Sequence, residues 1–233
     1  MIHKFRINKL FIFALLFFLI MTAFLLTGSR DEPKKSVSDQ VSEVTSQINS
    51  GEISAEDGSK KLCQITARRE EDRQMSVDSI IDFSGDPNLV VEYKCNNFSP
   101  SRPDVEPTKE TYLANGVFYT TSIEDATVLE VDPRGSEWIL KQDGKRNLNP
   151  PELLPTYSQI EMEMIAHNFV TSHLPGADLS SFKYTTGRKD SNNFFRWENT
   201  SKVAKGYQNA YIQIGISNNG QLLNYFDSIS QRN

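Results

Sequence analysis

The chain has 233 residues, 25 Lys and Arg against 30 Asp and Glu, a formal charge of −5 at pH 7 and 38% hydrophobic residues. That balance argues against a nucleic-acid partner, because phosphate binding needs a concentrated basic surface. About 200 residues follow an N-terminal apolar run, enough for one ordinary domain or two small ones.

Leu10 to Leu26 carry no charge and are rich in Leu, Phe and Ile, with Lys4, Arg6 and Lys9 immediately before them. Extended through Thr27, a helix over this run reaches roughly 27 Å at about 1.5 Å per residue, close to the thickness of a thin bilayer. Residues 1–28 are therefore expected to be a signal anchor, a single transmembrane helix that partners the membrane through residues 10–27. The alternative is a cleaved signal peptide and a secreted product, with Thr27-Gly28-Ser29 supplying the small residues of a cleavage site. Ser29 stands where a lipidated cysteine would be required, which excludes lipidation. Basic residues flank the run equally, Lys4, Arg6 and Lys9 against Arg30, Lys34 and Lys35. A short basic N-terminus and a long following domain favour the N-terminus inside and residues 29–233 outside the cytoplasm.

Residues 29–75 are expected to be a juxtamembrane linker and a helical hairpin. Val37, Val41, Val44 and Ile48 fall on one helical stripe, Gly51 stops it, and Ser54 with Asp57 opens a second helix carrying Leu62 and Ile65. Gly58 weakens that second helix by about 1 kcal/mol relative to Ala. Arg68, Arg69 and Arg73, interleaved with Glu70, Glu71 and Asp72, form a solvated face. A parallel coiled-coil stalk giving a homo-oligomer is the alternative use of the valine stripe, although two heptads are short for it.

Cys63 and Cys95 are the two cysteines of the chain. An even pair outside the cytoplasm is the pattern of a disulfide, and two unpaired thiols are the alternative.

Residues 76–146 are expected to be a small antiparallel β region. Its strand candidates are Asn88–Lys94, the pair flanking Asn115-Gly116, Val128–Val131 and Trp138–Leu140. Residues 147–155, rich in proline, form a linker. Within 156–233, Ser158 and Glu161 form a capping box for a helix ending at Pro175-Gly176. Met162, Ile165, Ala166, Phe169 and Val170 share one face of it with His173. Ile160 and Met164 lie opposite, where they could pack on the first sheet and join the halves. Four strand candidates follow, of which Ala210–Ile216 alternates with period two, and Asn219-Gly220 turns it into the last.

The fold class expected is α+β: a transmembrane helix, a helical hairpin, then antiparallel sheets each packed with a helix. Residues 156–226 resemble PepSY-type extracytoplasmic domains through the helix ending in Leu174-Pro175-Gly176, the strand Phe194-Phe195-Arg196-Trp197, and Tyr211-Ile212-Gln213-Ile214 leading to Leu222-Leu223-Asn224-Tyr225. The resemblance implies a helix on an antiparallel sheet and modulation of a peptidase or of cell-surface assembly. It implies no catalytic residue. The helix-then-strands order of the first half allows a diverged second copy.

Motifs for catalysis, zinc or phosphate binding are missing from the sequence, so no catalytic, cofactor-binding or metal-ligating residue is assigned. Glu163 and His167, one helical turn apart, read as a solvated pair rather than metal ligands, and His173 as a helix-end residue. Asp190, Asn192 and Asn193 read as a polar hairpin tip. Asn97-Phe98-Ser99 and Asn199-Thr200-Ser201 match the glycosylation acceptor by chance. Tyr207, Tyr211, Tyr225 and Trp197 are expected to fill a sheet face rather than form an exposed patch, and a free edge strand would bind a partner without leaving any motif.

The function expected is that of a membrane-anchored, extracytoplasmic, non-enzymatic protein that binds or modulates another protein at the cell surface. The alternatives are a hydrolase or metal-dependent enzyme of unfamiliar type, and a structural component that oligomerises. A concave pocket holding Glu163, His167 and a third ligand would favour the enzyme; an open sheet edge would favour the binder.

Overall fold

The structure, a computed structural model, describes residues 35–99, 102, 105–134, 136–175, 177–200 and 209–230. The chain divides into a unit of residues 1–40 and a unit of residues 41–233. In the first, the Ser36 hydroxyl accepts the Asp39 N–H at 3.1 Å and opens helix α1 (Val37–Asn49).

In the second unit, Val41 and Val44 pack with Leu62 of α2 (Ala55–Thr66) in a small core that also takes in Ile48, Ile53, Ile65 and Phe98. Ser54 caps α2 by accepting the Asp57 N–H at 3.0 Å. Gly58 has a structural reason: a Cβ there would collide with the side chain of Ile48, which would have to move for any other residue to fit between the two helices. The valine stripe is thus used inside the hairpin.

A third helix, α3 (Glu70–Ser84), runs into the start of the region 76–146 expected to be β. Its buried positions are Ser76, Ile80 and Ser84, so two of the three inward residues are polar and the apolar period is hidden. It ends at Gly85, whose positive φ of 66° lets its N–H reach the carbonyls of Ile81 and Asp82.

Four strands follow, β1 (Glu92–Asn96), β2 (Lys109–Ala114), β3 (Val117–Ser122) and β4 (Val128–Asp132). After a segment without regular structure come α4 (Gln159–His173), a 3₁₀ turn at Leu179–Ser181, and β5 (Lys183–Lys189), β6 (Asn192–Glu198), β7 (Tyr211–Ser217) and β8 (Leu222–Asp227). All eight strands form a single antiparallel sheet in the order β1-β2-β3-β4-β8-β7-β6-β5.

This corrects the expected fold class in two respects. The sheets are not separate, each with its own helix, because β4 and β8 pair at Glu130–Phe226 and Val131–Tyr225 and fuse the two meanders. The described fold is α+β with one sheet and four α-helices, and it contains no transmembrane helix: none among the described residues is long and apolar enough to cross a membrane. The run 10–27 lies outside the described residues.

Each half is a helix followed by a four-stranded meander, and the strand order reads the same from either edge. Both helices cover one face: Ile80 of α3 and Met162, Ile165, Phe169 and Val170 of α4 share a core with Tyr112, Tyr119, Phe195, Ile212, Ile214 and Tyr225 of the sheet. Ile160 and Met164 do not join the halves, since they are 78% and 44% exposed. Backbone pairing makes the joint, so no side-chain patch is needed for it. Trp138–Leu140 is not a strand but a bridged segment, in which Leu140 donates to the Gly220 carbonyl and Trp138 accepts from Leu222, both at 2.8 Å.

Candidate functional site

Helix α4 begins at a reciprocal capping box. The Ser158 hydroxyl accepts the Glu161 N–H, while the Ser158 N–H donates to the Glu161 carboxylate at 2.8 Å. These bonds to Ser158 hold the Glu161 carboxyl below its ordinary range. So fixed, the helix buries Met162, Ile165, Ala166, Phe169 and Val170 and leaves a flank of Ile160, Glu163, Met164 and His167.

That flank faces β5 and β6. Together with Tyr184 and Trp197 it lines a shallow groove of about 360 Å³. Trp197 is nearly buried and stacks at 5.3 Å, tilted, with the half-exposed ring of Tyr184. Burial pushes the Tyr184 hydroxyl up to about 12, and the Glu163 carboxylate adds to the shift. Three exposed large apolar side chains, Ile160, Met164 and Tyr184, therefore gather at one place.

The groove borders an edge. β5 is the last strand of the sheet and is exposed at all seven positions. Asn199 N–H bonds to the Ala210 carbonyl, which fixes the parity of β6: its odd-numbered residues turn to β7 and its even-numbered ones to β5. In the β5–β6 register, Lys183, Thr185, Gly187 and Lys189 then pair inward, and Tyr184, Thr186 and Arg188 turn their N–H and C=O groups to the open side. The opposite edge is secured differently. Cys95 of β1 is joined to Cys63 of α2 in a disulfide, and the Asn96 amide donates to the Thr66 carbonyl at 2.7 Å.

A second cleft, about 540 Å³, lies between the ends of α3 and α4 and the turn carrying Lys141, Lys145 and Arg146. Gly144 in that turn stands so close to the Phe169 backbone that any side chain would collide with it. His173 closes the cleft, with Nδ1 at 2.8 Å from the Phe169 carbonyl and Nε2 at 3.1 Å from the Phe83 carbonyl. Its role is to bridge two helix ends, and burial pulls its pKa below the ordinary value.

Glu163 and His167 both reach the groove, but the described residues hold no group of three His, Cys, Asp or Glu suited to a metal ion. The hairpin-tip residues serve the fold: Asn193 is fully buried and donates to Asn218 Oδ1 at 2.9 Å, and Asp190 takes a positive φ of 55°. Asn97 clamps its own loop, its side-chain oxygen accepting from the N–H groups of Thr108 and Lys109. Of the aromatic set, Trp197 and Tyr225 are buried, Tyr211 lies on the open sheet face with Arg196 stacked over its ring at 3.6 Å, and Tyr207 lies outside the described residues. Sequence reasoning found Ile160 and Met164 as a second apolar patch but assigned it to packing. The cations Lys183, Arg188 and Lys189 are the one signal in β5 that could have marked it as an edge.

Comparison with protein-family models, curated proteins and solved structures finds no match to this chain.

Proposed function

We propose that this is an extracytoplasmic, non-enzymatic protein, attached at the membrane through its apolar N-terminal run, that binds another protein at the cell surface by adding one of that protein's strands to the β5 edge. The observation that carries the reading is the junction of an edge strand, paired on its outer side by none of the described strands, with an exposed apolar groove along α4. Strand addition supplies affinity through main-chain hydrogen bonds, and pockets for alternate side chains supply selectivity. The PepSY-type resemblance of residues 156–226 points the same way, toward modulation of a partner. Since Val41 and Val44 are buried against α2, the valine stripe has little left to offer a coiled-coil stalk.

Photo-crosslinking from position 160 or 186 in intact cells tests the reading. A partner protein should be trapped at both positions and not from position 90, an exposed valine ahead of β1. Equal yields at all three positions, or none, would sink it.

A further inference from the structure

The charge on β5 and the side to which each residue points narrow the partner's chemistry. Tyr184 pairs with Trp197 on the side covered by α4, so Tyr184, Thr186 and Arg188 share that side and Lys183, Thr185, Gly187 and Lys189 take the other. The strand carries three cations in seven residues and no acid, within a chain whose net charge is −5. No described residue forms an ion pair with Lys183 or Lys189.

A second copy of this chain is a poor occupant. Two β5 strands paired antiparallel about Thr186 would set Lys183 of each directly opposite Lys189 of the other, and like charges in that relation are destabilising. The same cations that repel a copy attract carboxylates. On the α4 side, the groove between Ile160, Met164 and Tyr184 offers apolar surface to every second residue of an added strand.

Resting on the strand-addition reading above, we infer that the occupant of β5 is an extended acidic segment of a different protein, with apolar side chains toward α4 and carboxylates beside Lys183 and Lys189. The segment is amphipathic with period two.

The test uses the full-length chain and two labelled peptides of the length of β5, one alternating valine with aspartate and one alternating valine with lysine, with binding read by fluorescence anisotropy. The acidic peptide should bind at least about tenfold tighter at low salt, and the gap should shrink as salt rises. The double variant Lys183→Glu with Lys189→Glu should reverse the preference, and Thr186→Pro, which removes an outward N–H from an edge position, should abolish binding with the thermal midpoint unchanged. Equal affinity for both peptides with loss in Thr186→Pro would overturn the acidic chemistry while leaving strand addition standing. Acidic preference that survives Thr186→Pro, in a variant of unchanged thermal midpoint, would overturn strand addition and this inference together. Failure of the acidic peptide to bind would overturn the inference alone, because the cross-links from positions 160 and 186 report on the binding face independently.

Discussion

His173 Nε2 lies 3.1 Å from the carbonyl oxygen of Phe83, so the last residue of α4 is tied to the last turn of α3. The imidazole is packed against the rings of Phe83 and Phe169, with centroids 4.0 and 4.3 Å away. A neutral imidazole can donate to only one of its two carbonyl neighbours, yet burial outweighs their pull and depresses the pKa.

Stability is therefore expected to fall in mild acid. The folded state holds the His173 proton more weakly than the unfolded chain, whose value is about 6.5. The contribution is whole above that value and is lost progressively as the pH falls from there through the lower value of the folded state, because over that interval the unfolded chain binds the extra proton and the folded one does not. Thermal melts at pH 7.5 and 5.5 should show the drop, and His173→Gln should show a smaller one. An equal drop in the variant would assign the effect elsewhere.

Glu110 is fully buried, and Arg68 grips both of its oxygens, Nε to Oε1 at 2.9 Å and Nη2 to Oε2 at 2.6 Å, while the Tyr112 hydroxyl donates to Oε2 at 2.7 Å. Removing the cation alone leaves a buried carboxylate without its charge partner. Arg68→Ala is expected to cost about 3 kcal/mol in urea unfolding, at the low end for a buried pair because Arg68 is partly exposed. The double variant Arg68→Met with Glu110→Leu should cost less than Arg68→Ala alone.

The disulfide between Cys63 and Cys95 spans 32 residues of sequence and fastens α2 to the β1 edge. Replacing both cysteines by serine should lower stability by about 3 to 4 kcal/mol in the chain-entropy model. Hydrogen exchange should locate the earliest loss of protection in α1 and α2 rather than in β6 and β7. Uniform loss across the sheet would contradict this placement.

Gly58→Ala sets helix propensity against packing. Propensity alone predicts a gain of about 1 kcal/mol. The collision of the new Cβ with Ile48 predicts instead a net loss of about 1 to 3 kcal/mol, since overpacking displaces side chains. A chemical-denaturation series on this one variant decides which term dominates, and a higher midpoint would count against the close approach of α1 and α2.

Local chemistry was legible in the residues. Ser54 and Ser158 cap the helices their spacing promised, and Asn115-Gly116 forms the tight turn between β2 and β3, with φ of 49° and 77°. Helix α3 was not legible, because Ser76 and Ser84 occupy buried positions that the periodicity of apolar residues would have left to Ile or Leu.

The sequence by itself determined the elements whose signals are short-range: caps, tight turns, and the alternation of β7. Only the tertiary structure decided that two meanders become one sheet, that β5 stands at its edge, and that Ile160 and Met164 line a groove beside it. Strand order rests on main-chain hydrogen bonds that every residue except proline can make, so no side-chain pattern records which strand meets which. The candidate site is a consequence of that order, which is why it left no motif to read.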